Sequence, residues 1–218
     1  MNFVQRAIGL IVKPDETMKD VIAAPRIEES LVIVAAYVVL LLIGAYVSLS
    51  HMNIVFTDSA GINAETLKMV MYVFGLGTVL VMTLLLWPII TAILHVFSMV
   101  FGGDGKFYPQ ILTGIGYSYL PKLIAAAIAI GLAAMLPVTT VELSSTGGYN
   151  IPSATSAGTL SLATTAVNLL FLLWSCYLGA LAIKHGEKVS MTNALIVVGV
   201  PLVIYLLFTF GMGFLFRV

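Results

Sequence analysis

The sequence predicts an all-α, polytopic transmembrane helical bundle of five spans, preceded by short N-terminal interfacial helices. Three observations predict it. Of 218 residues, 60% are hydrophobic and 9% charged, whereas a soluble domain carries about 25% charged residues and needs polar cover for its exposed shell. Five apolar segments approach the roughly 20 residues that cross a ~30 Å hydrocarbon core. The ten Lys and Arg residues fall unevenly among the segments that flank these runs.

Residues 1–30 read as cytoplasmic amphipathic helices and residues 31–218 as the membrane domain. Phe3, Ala7, Ile8 and Ile11 repeat at helical spacing, with Gln5 and Arg6 on other faces. A second short helix follows Pro14. Asp15 and Glu16 suit its first turn, Met18, Val21 and Ile22 form an apolar stripe, and Pro25 ends it. Both helices either lie in the membrane interface or pack on the protein itself, and the sequence leaves both readings open. The first long apolar stretch begins at Leu31 and is expected to act as an uncleaved signal anchor.

The spans are expected at about 31–49, 69–101, 117–137, 160–183 and 194–216. The second run, Met69–Gly103, is uncharged and longer than a straight crossing needs. Pro88 can kink it, so it is either one tilted helix or a helix bent along the interface after Pro88. A short re-entrant piece at Ile89–Phe101 is a further alternative. Lys122 limits the clean part of the third run, so this helix is expected to start near Tyr117 with Lys122 snorkelling. The segment Val138–Thr159 is rich in Ser, Thr and Gly and reads as irregular and solvent-facing.

Orientation follows from the basic residues. Arg6, Lys13, Lys19, Arg26, Lys106, Lys122, Lys184 and Lys188 fall on one side of the five-span scheme, and Lys68 and Arg217 on the other. The richer side is expected to be cytoplasmic, with the N-terminus inside and the C-terminus outside. Ala125, Ala129 and Ala133 offer a small-residue seam for packing within the bundle, and a homo-oligomer could use such a seam as well.

Several chemistries are excluded. A formal net charge of zero gives no basic field for nucleic acid. One cysteine, Cys176, allows neither an intramolecular disulfide nor a cysteine zinc cluster. No Asp, Glu or Arg falls in the middle of a span, which argues against a proton-coupled pump. His51, His95 and His185, with Asp104 or Glu187, carry no metal-ligand spacing. Gly102-Gly103-Asp104-Gly105 reads as a glycine-rich turn and not as an intramembrane aspartyl protease motif, because Phe101 precedes it and no second intramembrane Asp could form a dyad. No catalytic residue and no cofactor are expected.

The polar residues that remain are expected to form a small pocket on the cytoplasmic face, roofed by the N-terminal helices. Its candidates are His95, Gly102, Gly103, Asp104, Tyr117, Tyr119, Pro121 and Lys122. For His95 and for Asn168 in the fourth span, a helix-to-helix hydrogen bond is the plainer role. Gly114, Gly116 and Pro121 weaken the start of the third span, so a bend is expected there.

The run HVFSMVFGGDGKFYPQIL followed by TGIGYSYLPKLI, with Lys13-Pro14 and a tail helix ending at Pro25, resembles the YIP family of membrane proteins (Ypt/Rab-interacting proteins). The likeness is to its short prokaryotic, bacterial or archaeal, members. It implies five spans, a cytoplasmic N-terminus and a cell (plasma or inner) membrane. Eukaryotic members resemble trafficking factors that engage Rab-type GTPases through a long cytosolic region with an Asp-Leu-Tyr-Gly-Pro motif. Here that motif is absent and the tail is short, so GTPase binding does not carry over. The expected function is a non-enzymatic membrane-organising or adaptor role at the cytoplasmic face, with the lipid bilayer and a protein as partners. The alternative is a small transporter or channel for an ion, lipid or small metabolite.

Overall fold

A computed structural model describes residues 1–56, 64–143, 149–150 and 155–215. The chain divides into two compact units. One comprises residues 1–34, 86–121 and 172–218, the other residues 35–85 and 122–171. Five helices are long and apolar enough to cross a membrane: Ile27–Ser50, Glu65–Met99, Phe107–Ala133, Leu160–Glu187 and Met191–Phe208. The fold is an all-α polytopic bundle with one helical crossing for each expected span.

The first unit begins with α1 (Phe3–Val12), which opens on a capping box: the Gln5 amide donates to Asn2 Oδ1 at 2.8 Å and the Asn2 amide to Gln5 Oε1 at 2.9 Å. Helix α2 (Pro14–Ala23) starts on Pro14, whose missing N–H costs nothing at the first helical position, and carries Asp15 and Glu16 in its first turn. The two helices form a hairpin that closes tightly at Gly9. A Cβ there would lie 2.5 Å from Thr17 Oγ1, so only glycine permits the approach. Helix α2 turns Thr17, Met18, Val21 and Ile22 inward, so it packs on the protein itself. Helix α1 buries only Arg6 and Leu10.

Helix α3 (Ile27–Ser50) forms the first crossing, and α4 (Ala64–Met99) the second. Helix α4 runs through Pro88 without a break, and the re-entrant alternative at 89–101 has no counterpart in it. The third crossing is interrupted. A π-helical turn at Phe107–Ile111 leads into α5 (Leu112–Tyr117), and α6 (Leu120–Ala133) follows after Ser118 and Tyr119. Pro121 cannot donate to the Tyr117 carbonyl, which is the local reason for the break. At the same break the Ser118 carbonyl accepts from Ser175 Oγ at 2.5 Å. Helices α7 (Thr155–Glu187) and α8 (Met191–Leu215) complete the crossings.

In the second unit, strand β1 (Met52–Phe56) pairs in parallel with β2 (Thr139–Leu143), and β2 pairs antiparallel with β3 (Tyr149–Asn150). This corrects the reading of 138–159 as irregular. Thr139, Thr140 and Val141 are β-branched and suit a strand, but the partner strand lies more than eighty residues earlier and has no local signature. The serine- and glycine-rich stretch 144–148 lies outside the described residues. Helix packing in this unit brings Gly44 against Ile130 and the ring of Tyr46 to 5.7 Å from that of Tyr72. Of the alanine seam, Ala125 is buried, as is its neighbour Ala126.

Candidate functional site

The first unit holds two buried polar clusters and an ion pair between them in sequence. The larger cluster is built on Arg6, whose side chain is 1% exposed. Its Nε donates to Asp20 Oδ2 at 2.9 Å, Nη1 to Glu29 Oε2 at 3.0 Å, and Nη2 to the carbonyls of Ala24 at 2.9 Å and Asp20 at 3.3 Å. The Tyr117 hydroxyl donates to the same Glu29 oxygen, and Arg26 Nη1 donates to the other at 3.2 Å. Burial works against the Arg6 charge, but the bonds to Asp20, then Glu29, outweigh it and push its pKa above the ordinary value. The guanidinium thus ties α1 to α2, to the α2–α3 turn and to the first turn of α3. The Phe3 ring, 6.4 Å from that of Tyr117, adds an aromatic contact to α5.

The second cluster is built on Glu187 at the end of α7, which is fully buried. Its Oε2 accepts from the Gly105 amide at 2.9 Å, and its Oε1 lies 2.5 Å from His95 Nδ1. The Asp104 amide donates to the Glu187 carbonyl at 3.2 Å. At the surface, Lys188 and Asp104 pair at 3.1 Å. Gly102 adopts φ +79° in the turn after α4, a conformation that favours glycine. Gly105 is needed because a Cβ there would run into the Gly186 carbonyl. Between these clusters in sequence, Asp15 of α2 accepts from Lys184 Nζ at 2.6 Å and lies 3.0 Å from His185 Nε2. The Lys184 bond, then that of His185, holds its carboxyl below the usual range.

The expected pocket residues are therefore distributed. Tyr117 lies under the N-terminal hairpin, but it is fully buried and bonded to Glu29. His95 joins Glu187 and Phe107 instead, with ring centroids 5.8 Å apart in the latter case. Gly103 and Asp104 belong to the His95–Glu187 cluster, where the Gly103 amide donates to the Ser98 carbonyl at 3.1 Å. Tyr119 and Pro121 are buried in the first unit, and Lys122 falls in the second unit. Asn168 is exposed on α7. Gly114 and Gly116 act through close packing: a Cβ at Gly114 would lie 2.8 Å from the Ala182 Cβ, and one at Gly116 2.5 Å from the Ser30 Cβ. Nearby, Ser30 Oγ donates to the Thr113 carbonyl at 2.8 Å, while Trp87 Nε1 and Thr113 Oγ1 are buried without a hydrogen-bond partner.

Sequence reasoning missed Arg6, Asp15 and Glu29 as anchors. A signal existed for the first: Arg6 is the one charged residue in an otherwise apolar or neutral helix, and such a charge needs a partner if the helix packs. Among the described residues, no group of three or more His, Cys, Asp or Glu side chains could hold a metal ion. The arrangement is suited to locking helix ends together: each buried charge meets a partner.

A family model described as "Yip1 domain" matches residues 8–213. A protein of Methanocaldococcus jannaschii, described as "Uncharacterized protein MJ0794", is 28% identical over 107 residues, which cover 49% of this chain and 72% of that protein. No solved structure matches the chain.

Proposed function

Because the chain belongs to the Yip1 domain family, we propose that it is a non-enzymatic membrane-organising or adaptor protein that works from the cytoplasmic face. One observation carries this reading. The N-terminal hairpin and the turn after α4 are both joined, within one unit, to the end of α7 at the α7–α8 turn: Asp15 with Lys184, and Gly105 with Glu187. Three chain segments distant in sequence thereby present one composite polar surface, with Asp104 and Lys188 exposed on it. A surface assembled from tied turns suits recognition of a protein. The same segments carry seven of the eight basic residues of the richer side, which supports a cytoplasmic placement. His95, Gly102, Gly103 and Asp104 belong to this surface and its support, with Tyr117 beneath the hairpin and Tyr119 and Pro121 buried in the same unit.

The test pairs two measurements on the purified protein and on native membranes. A photo-crosslinking side chain at Lys188, and another at Asp104, should each capture the same discrete protein in native membranes, and proteoliposomes should show no solute flux above protein-free vesicles. Saturable flux of an ion, lipid or small metabolite, without crosslinks at either position, would establish the small transporter or channel in its place.

A further inference from the structure

Helix α1 buries its one charged residue and leaves Gln5 and most of its large aliphatic side chains exposed. Arg6 and Leu10 are buried, while Val4 is 61%, Ile8 57%, Ile11 55% and Val12 70% exposed. The rotation is fixed, because the Arg6 guanidinium is held by four acceptor atoms and leaving them would take from Glu29 its buried counter-charge. No acidic residue occurs in the helix, and its one charge is the buried one. A face of large aliphatic side chains on this scale is not left in water.

Where this face sits follows from its tether. Arg6 binds Glu29, which lies in the first turn of α3. That helix is a membrane crossing from Ile27 onward. One turn beyond Glu29, Leu31 and Val32 are 49% and 58% exposed and open the lipid-facing surface of the crossing. Phe3 likewise reaches Tyr117, within the third crossing. Helix α1 is thus tied to the first turn of one crossing and, through Tyr117, to a second, so its apolar face adjoins theirs. Of the flanking cations, Lys13 pairs with Glu16 at 3.5 Å and Arg26 with Glu29 at 3.2 Å, and Lys19 is exposed.

We propose that α1 is an interfacial lipid-docking helix, with Val4, Ile8 and Ile11 seated in the bilayer at the boundary of headgroups and acyl chains and Arg6 clamping it to the protein. The hairpin is therefore divided in function: α2 packs on protein and α1 on lipid. The proposal needs only that the crossings span a bilayer, and it stands or falls independently of the adaptor reading.

Spin labels test it. Single cysteines replace Val4, Ile8, Ile11, Glu16 or Lys19 in a Cys176→Ser background, and the labelled full-length chain is placed as one copy per nanodisc of phosphatidylcholine and phosphatidylglycerol. At Val4, Ile8 and Ile11, collisions with oxygen should exceed collisions with a water-soluble nickel chelate several-fold. At Glu16 and Lys19 the order should reverse. Chelate access at the three α1 positions equal to that at Lys19 would overturn the proposal and place the face in water. Exclusion of both reagents from all three would also overturn it, since the face would then be covered by protein. A second copy as the natural cover would show as disulfide crosslinking of the Ile8→Cys protein at high density, with chelate access in the single-copy discs.

Discussion

At Arg6 the desolvation of one charge is offset by two kinds of acceptor, two carboxylates and two carbonyls, and Glu29 in turn accepts from the Tyr117 hydroxyl. Such a cluster is informative mainly when broken. Arg6→Met should lower stability by about 3 kcal/mol, because it takes from Glu29 its buried counter-charge and leaves the half-exposed Arg26 and the Tyr117 hydroxyl as its donors. Arg6→Met combined with Glu29→Gln should recover most of that loss, since the charge is removed with its partner. Thermal unfolding of the purified single and double variants measures the difference, and equal losses in both would refute the coupling. The residues of this cluster were only half legible beforehand. Tyr117 stood out as a polar group at the start of an apolar run, and its place beneath the tail helices follows from that run's position. Glu29 did not stand out, because two adjacent acids ahead of a helix read as ordinary first-turn residues favoured by the helix dipole. Nothing local distinguishes Glu29, 8% exposed, from Glu28, which faces solvent.

Among the elements, the crossings were readable because composition alone sets them, and the small ones that depend on distant partners were not. The β1–β2 pairing joins residues 52–56 to 139–143, and five-residue strands leave too little alternation to be seen without each other. The break between α5 and α6 was signalled by Pro121, but the reason for its glycines was not. Flexibility would make Gly114 and Gly116 tolerant of alanine; close packing does not. Gly114→Ala should cost about 1–3 kcal/mol, because Ile22 can shift its terminal methyl but the Ala182 Cβ moves only with its backbone. Gly131→Ala, in α6 where nothing lies within 4 Å, should instead gain about 0.5 kcal/mol from helix propensity. Unfolding midpoints of the two variants should move in opposite directions. Helix α2 also has a pH signature. The Asp15 carboxyl is held below its ordinary value of 3.8 by Lys184 and then His185. A depressed acid contributes stability that is present above its unfolded pKa and lost as pH falls through the folded one. The hairpin contact should therefore weaken only below about pH 3.8. Asp15→Asn should flatten that acid limb of the stability profile, by an amount near 0.5 kcal/mol because the carboxylate is half exposed.

For the molecule as a whole, the two kinds of inter-loop contact bear on how the chain threads the membrane. Within the second unit, β1 follows α3 and β2 follows α6, and the two strands pair, so the first and third loops meet. Within the first unit, the turn after α4 meets the end of α7 through Asp104, Gly105, Glu187 and Lys188, and the N-terminal hairpin meets Lys184 of the same helix. Odd loops contacting odd loops, and even loops contacting even loops and the N-terminal segment, is the pattern that arises when each helix crosses once. With eight of ten basic residues on the side of the N-terminal segment in the five-span scheme, that side is the one expected to face the cytoplasm. The structure also selects the positions at which to measure it. Glu187 is fully buried and would resist a thiol reagent from either side. Lys188 and Asp104 have side chains 71% and 65% exposed, and Asn53 and Val138 are exposed at the other pair of loops. In a Cys176→Ser background, cysteines at Asn53 and Val138 should react with a membrane-impermeant maleimide added to intact cells. Cysteines at Asp104 and Lys188 should react only after the membrane is opened. Labelling of Asp104→Cys from outside would overturn the five-span, N-inside threading, whereas external reaction at both Asn53 and Val138 requires α3 and the α4–α6 segment each to return the chain to the same side.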